Sequence, residues 1–454
     1  LQTIRNIRHD PAFAPNSKRI AYLKGLELHV YHLFTDERQV ISLESLQNID
    51  YRFLLWHPND RGWVVKSGAR LYFVDVEGQI IPLQIPEGKN PRGLIRPSEG
   101  SFFYTTDGES CVLWSMDKMI GNSQLYRMPL NGDAPSLLYE DEDSLQAASF
   151  HRTYAWFSDV SADGSKIIVA AENTFQPMEL YLLNDDFKPK QKITSLNHSF
   201  QNASKGRTMH TSWEDSSGKK RNGMLLLPES HHGQNIPLIV HVYPNINFSA
   251  FKNTWDKDTA DAIVPPQWLA DSGYAVFIPD LFVETKQFMK DIARELELAL
   301  QSIGSIDRID MNRMAVMGHS FGGYTVNCLI TQTNRFKAAI SNGAYSDLIS
   351  AYSSYDSNNG RINGFGCQWL ETGQMNQGGA PWEVPDTYVA NSPLFNLHQV
   401  ETPLLLIGGG MDSHYMPQGM LVGLERLKKK VRCYVYEGEG HVPADWSLVN
   451  RTDV

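Results

Sequence analysis

Over residues 1–205 the apolar positions come in short, strand-sized groups separated by turn residues, and no long amphipathic helix is legible among them. One recurring line is a polar turn followed by an apolar strand. It reads Pro15-Asn16-Ser17 before Ile20-Ala21-Tyr22, and Pro58-Asn59-Asp60 before Trp63-Val64-Val65. It returns as Pro97-Ser98-Glu99 before Phe102-Phe103-Tyr104, and as Ala162-Asp163-Gly164 before Ile167-Ile168-Val169. A second line is a strand opened by Leu and an aromatic residue or His: Leu28-His29-Val30-Tyr31, Leu71-Tyr72-Phe73-Val74, Leu125-Tyr126-Arg127-Met128 and Leu180-Tyr181-Leu182-Leu183, with starts 43, 54 and 55 residues apart. Propeller blades are small four-stranded sheets that recur at about 40–50 residues. The pattern therefore predicts an all-β, propeller-like domain of about four blades over residues 1–205, incomplete as a propeller. A β-sandwich with similar turns is the alternative.

From residue 206 to 454 strand and helix signals alternate. Met209–Trp213 and Gly223–Leu227 flank Ser216-Ser217-Gly218, a hairpin signal. The apolar runs Pro237–Val242 and Tyr274–Ile278 have the character of strands buried on both faces of a parallel sheet. Between 287 and 303, Ile292, Leu296, Leu300 and Ile303 recur at helical spacing, with Lys290, Arg294, Glu295 and Glu297 on the other faces. Met314–Met317, Phe336–Ile340, Leu404–Ile407 and Val431–Tyr436 follow as strands, with helices between them, one at about Gln418 to Lys429. The alternation predicts a doubly wound, mostly parallel sheet covered on both faces, which carries its chemistry at the carboxyl ends of its strands.

Composition changes this picture little. With 42% hydrophobic and 20% charged residues, the 454-residue chain is neither disordered nor collagen-like. Its net charge of −10 argues against nucleic acid or anionic lipid as a partner. No apolar run approaches the roughly 18–20 residues needed to cross a bilayer. Cys111, Cys328, Cys367 and Cys433 are scattered without a CxxC pair, which suits reduced thiols or a single bridge. The sequence opens at Leu1 with no Met, no basic n-region and no apolar h-region, as expected after removal of a signal peptide or for a trimmed chain, so cytoplasmic and exported locations both stay open.

The strongest chemical signal is Gly318-His319-Ser320-Phe321-Gly322-Gly323. It follows the apolar strand Met314-Ala315-Val316-Met317 and precedes Tyr324–Ile330, a plausible helix. Strand, GxSxG, helix is the context of a nucleophile elbow: the turn projects the serine hydroxyl, the glycines permit close strand–helix approach, and the helix start offers N–H groups to an oxyanion. A serine hydroxyl needs a base, and in this arrangement an acid and then a His follow along the chain. Asp412 stands after the strand Leu404–Ile407 and the turn Gly408-Gly409-Gly410; His441 stands after the next strand, in Glu437-Gly438-Glu439-Gly440-His441. Ser320, Asp412 and His441 are the candidate nucleophile, orienting acid and base. His414 is a weaker candidate for the base, because an acid and a base two residues apart on one loop do not easily both face Ser320. The candidate oxyanion donors are the Phe321 N–H and, at the end of the strand Pro237–Val242, the hydroxyl of Tyr243.

With these residues in place the chain resembles the prolyl oligopeptidase family of serine peptidases, whose members join a β-propeller to an α/β-hydrolase domain with the active site in the cavity between. The resemblance spans about 206–450 and rests on GHSFGGY (318–324), GQMNQGGAPWEVPDTYVANSPLF (373–395), VETPLLLIGGGMD (400–412) and YEGEGH (436–441). It implies Ser320, Asp412 and His441 as the triad, Tyr243 as an oxyanion donor and short peptides as substrates. The departures are specific. Family propellers have about seven or eight blades, which implies a fragment with the missing length before Leu1, or a shortened member. Asp412-Ser413-His414-Tyr415-Met416-Pro417 carries one residue more before its Pro than the family's D-x-x-V-P loop, and the chain stops at Val454 without the family's closing helix. At the second position after the acid, where some members hold the substrate backbone with Arg, this chain has His414.

His231-His232 lies in a polar turn without further ligand-type residues at metal spacing, Glu140-Asp141-Glu142-Asp143 reads as a solvated loop, and Lys428-Lys429-Lys430 suits a helix C-terminus. The Gly408–Gly410 run lacks dinucleotide spacing, and no phosphate-binding loop is present, so neither a cofactor nor a metal is expected. The sequence reads as a serine peptidase with an α/β-hydrolase fold. An acyl or carbohydrate esterase with the same triad, and a catalytically weak binding scaffold, are the alternatives; a homo-oligomer stays open.

Overall fold

The computed structural model describes residues 11–450 except 17, 97–104, 106–107, 118–121, 142–143, 147–157, 162–163, 185, 189, 197–205, 230–234, 248–263, 307, 354, 357–360, 363, 413–416 and 448. The expected strand Phe102-Phe103-Tyr104 and the His231-His232 turn lie outside these residues. The chain divides into two compact units, Leu1–Gln201 and Asn202–Val454.

In the first unit four small antiparallel sheets follow one another along the chain. Strands Ala12–Phe13, Arg19–Lys24, Glu27–His32 and Arg38–Ser42 pair in sequence order, as do Ile49–Trp56, Gly62–Ser67, Arg70–Asp75 and Ile80–Leu83. Lys89–Leu94, Ser110–Asp117, Ser123–Pro129 and Ser136–Asp141 form the third sheet; the fourth is centred on Lys166–Asn173 and Gln176–Asn184. Successive side chains of a strand point to opposite faces, and here adjacent residues feed different cores. Val65 packs with Leu28, Val30 and Trp63, whereas Val64 packs with Phe73, Cys111 and Leu113. Leu113 in turn belongs to that second core, and its neighbours Val112 and Trp114 pack with Val169 and Leu183 of the fourth sheet. The second and third sheets are thus buried on both faces, which explains apolar runs such as Trp63-Val64-Val65.

The second unit is built on one eight-stranded sheet. Its strands are β1 (Arg207–Glu214), β2 (Lys220–Leu227), β3 (Ile236–His241), β4 (Ala275–Pro279), β5 (Ile309–His319), β6 (Phe336–Asn342), β7 (Leu404–Gly409) and β8 (Val431–Tyr436), in the order β1-β2-β4-β3-β5-β6-β7-β8. The β1–β2 hairpin and the β2–β4 pair are antiparallel; the pairs from β4 through β3 to β8 are parallel. All five residues of β4 are buried, as a strand covered on both faces requires. Helix α1 (Phe288–Ile303) lays Phe288, Ile292, Leu296, Leu300 and Ile303 into the core, and α2 (Phe321–Ile330) is buried along its whole length. Glu295, read from the sequence as lying off the apolar face of α1, is buried, and its carboxylate accepts hydrogen bonds from the Ser216 hydroxyl and N–H in the β1–β2 turn. Among the described residues no helix is long and apolar enough to cross a membrane, and the four cysteines are free thiols.

Candidate active site

The register of the parallel strands decides where the chemistry can sit. β5 ends with Gly318 and His319 opposite Ser341 and Asn342 of β6, and the chain turns at Ser320 directly into α2. Ser320 holds φ 56° and ψ −119°, a conformation that a non-glycine residue adopts at a cost of about 1–3 kcal/mol. The turn is held by the Ser320 N–H donating to the Asn342 carbonyl at 2.8 Å and by the Tyr324 N–H donating to the Ser320 carbonyl at 2.9 Å. Two glycines are obligatory here. A Cβ on Gly318 would lie 2.5 Å from the Gly322 backbone, and one on Gly322 would collide with the Val242 carbonyl oxygen at the end of β3.

Asp412 follows β7 on a turn closed by its N–H donating to the Gly409 carbonyl at 3.2 Å. The loop after β8 is tied to that turn: the Gly410 N–H donates to the Tyr436 carbonyl at 2.8 Å and the Met411 N–H to the Glu439 carbonyl at 2.9 Å. The result is a line of side chains from three strand ends. His441 Nε2 is 2.8 Å from Ser320 Oγ, and His441 Nδ1 is 2.7 Å from Asp412 Oδ2. The Asp412 side chain is fully buried, whereas 29% of the His441 side chain is exposed. With the carboxylate accepting from Nδ1–H, Nε2 is left to accept from the Ser320 hydroxyl. Tyr345 lies near Asp412, and burial together with that carboxylate pushes its phenol well up, so it stays neutral.

Tyr243 is half-buried beside the elbow, its ring edge-on to Phe321 at 6.1 Å. The Phe321 N–H belongs to the first turn of α2, whose N–H groups have no acceptor within the helix. His414 lies outside the described residues. Of the two histidines weighed as base, His441 is the one seen within hydrogen-bond reach of Ser320.

Three supporting residues were not singled out from the sequence. Glu439 is buried and accepts hydrogen bonds from the Ser447 N–H at 2.9 Å and from Asn450 Nδ2 at 2.7 Å, which hold its carboxyl below the usual range. Trp446 donates from Nε1 to the Gly440 carbonyl at 2.9 Å and packs its ring on Tyr436. Together they fold the chain after His441 back onto the loop before it. The only sequence signal was an acid two residues before the His and a Trp five after it. His319 is the third: its ring lies against His441, although the motif reading gave this position no role.

Comparison with known proteins bears on the same region. Residues 264–452 match the prolyl oligopeptidase family. The chain is 24% identical to the peptidase YuxL of Bacillus subtilis over 363 residues, covering 77% of this chain and 50% of that protein. It is 24% identical to the lasso peptide isopeptidase AtxE2 of Asticcacaulis excentricus over 365 residues, covering 75% of this chain and 47% of that one. The chain therefore spans about half the length of these curated relatives. Its fold is similar to that of a dipeptidyl aminopeptidase IV-like protein from Bacteroides ovatus, at a TM-score of 0.62 and 14% identity over 95% of this chain and 63% of that one. The elbow after β5, the acid after β7 and the His after β8 all lie inside residues 264–452, the segment of this chain that matches the prolyl oligopeptidase family.

Proposed function

We propose that the chain hydrolyses short peptides through an acyl-enzyme formed on Ser320. The observation that carries this reading is the unbroken hydrogen-bonded line from Ser320 through His441 to the buried Asp412. Ser320 Oγ attacks the scissile carbonyl as its proton passes to His441 Nε2. Asp412 holds the His tautomer and stabilises the imidazolium. The negative charge that develops on the carbonyl oxygen is met by the Phe321 N–H and the Tyr243 hydroxyl. The C–N bond breaks as His441 returns the proton to the leaving amine. Water, deprotonated by the same nitrogen, then hydrolyses the ester on Ser320.

The reading extends to the domains: residues 1–205 as propeller-like blades, and 206–454 as the catalytic domain. The succession of four small meander sheets, packed one on the next through separate cores, supports the first of these.

A panel of aminoacyl amides, short peptides and simple acyl esters separates peptidase from esterase. Peptide and amide turnover is expected, lost in Ser320→Ala by about 10⁴-fold or more. Turnover of esters alone would sink the peptidase reading while keeping the triad; turnover of nothing by well-folded protein would leave a binding scaffold.

A further inference from the structure

Tyr243 stands on a short stretch of chain that is fixed at both ends. At one end Val242, just past β3, is fully buried and donates its N–H to the Met317 carbonyl of β5 at 2.9 Å. At the other end Asn245 turns the chain with a left-handed φ of 63°, which Asn tolerates better than most residues. Only Tyr243 and Pro244 lie between. Proline locks its own φ and restricts the residue before it to extended backbone, so the two form a stiff spacer.

Asn245 is fastened to the loop between β4 and α1 by main chain and side chain together. Its N–H donates to the Leu281 carbonyl at 2.7 Å. Its Oδ1 accepts from the Val283 N–H at 3.0 Å, and its Nδ2 reaches the Val283 carbonyl oxygen at 3.5 Å. The side-chain amide thus meets both polar groups of Val283, as a peptide unit of a neighbouring strand would. Leu281 and Val283 are buried in the core of the second unit, so the clamp closes on a rigid partner.

The placement of that stretch bears on the chemistry. An oxyanion donor is effective only at hydrogen-bond distance from the point where charge develops, and a misplacement of about 1 Å costs up to about a hundredfold in rate. The Tyr243 hydroxyl is at the far end of its ring, so any shift of the main chain beneath it is carried to the donor. We propose that Asn245 is a positioning residue: its side-chain clamp on Val283 sets the main chain under Tyr243 and so holds the Tyr243 hydroxyl where the oxyanion forms. This rests on the reading of Tyr243 as an oxyanion donor for acyl transfer to Ser320. The edge-on contact with Phe321 limits the tilt of the ring, and the clamp fixes the backbone from which the ring projects. Asn247, two residues on, is exposed and has no part in the clamp.

The test is a double-mutant cycle. Asn245→Gly keeps the left-handed backbone and removes the side-chain clamp; Tyr243→Phe removes the hydroxyl alone. The readouts are kcat and KM for an activated acyl ester and the rate of Ser320 labelling by a fluorophosphonate, with thermal melts as the folding check. Asn245→Gly is expected to lower kcat and the labelling rate about ten- to hundredfold at nearly unchanged KM, because the donor is fully engaged only as charge develops. In Tyr243→Phe, itself slower by about a hundredfold or more, the same change is expected to cost less than about threefold, because the group it positions is gone. Asn247→Gly, the control on the same loop, is expected to keep the wild-type rate. If Asn245→Gly does not fold, Asn245→Asp, which sets a carboxylate oxygen against the Val283 carbonyl, is measured in its place with the same expectations. An Asn245 variant as fast as wild type, an equal loss in both backgrounds, or a loss of the same size in Asn247→Gly would overturn the proposal. Tyr243→Phe at the wild-type rate would instead overturn the oxyanion reading beneath it. A wild-type protein that neither turns over the ester nor reacts with the probe would overturn the catalytic reading itself.

Discussion

Asp412→Asn is expected to lower kcat by about 10⁴-fold with KM and the melting temperature nearly unchanged. The asparagine is nearly isosteric, so the turn after β7, held by backbone hydrogen bonds from Asp412 to Gly409, from Gly410 to Tyr436 and from Met411 to Glu439, has no reason to move. What changes is the partner of His441 Nδ1. A carboxylate fully buried at 2.7 Å from that nitrogen demands its proton on Nδ1. An amide placed there can present its NH₂ instead, which puts the proton on Nε2 and removes the acceptor for the Ser320 hydroxyl. Steady-state kinetics on the substrate selected by the panel, with a thermal melt of the same preparation, measures both halves. A loss of less than tenfold would mean that Asp412 does not orient the base.

Gly322→Ala is expected to remove activity altogether and to destabilise the catalytic unit by about 1–3 kcal/mol or more. The added methyl has nowhere to go: it meets the Val242 carbonyl oxygen directly and lies 3.4 Å from the Tyr243 ring. The Val242 N–H is bonded to the Met317 carbonyl at 2.9 Å, so β3 cannot recede without breaking its pairing with β5. Relief has to come from the elbow, moving Ser320 and the Phe321 N–H relative to Tyr243. Denaturant melts and fluorophosphonate labelling follow the two effects. A stable variant that labels at the wild-type rate would contradict the close packing described for the elbow.

Much of the site was legible because each member stands at a strand end marked by apolar residues on one side and glycine on the other. Gly318 and Gly322 announced the elbow, Gly408–Gly410 the turn before Asp412, and Gly438 and Gly440 the loop before His441. The β1–β2 hairpin was readable from Ser216-Ser217-Gly218, and the four sheets of the first unit from their paired strand lines. What escaped the reading depends on long-range partners. Glu295 looks like a solvent-facing residue of an amphipathic helix until Ser216, 79 residues away in sequence, supplies its donors. The helices Gly364–Glu371 and Pro385–Ala390 between β6 and β7 are too short to show a period. Glu439 and Trp446 matter only because the chain after His441 folds back, which no local pattern announces. His319 sat inside the most conspicuous motif of the chain, but its ring contact with His441 appears only in the fold.

The most direct measurement is mass spectrometry of the protein after reaction with a fluorophosphonate, followed by proteolytic mapping of the adduct. One adduct is expected per chain, on the peptide holding Ser320, and none in His441→Ala. A protein that cleaves peptides while that serine stays unmodified, or an adduct carried by any other residue, would contradict the assignment of Ser320 as the nucleophile activated by His441.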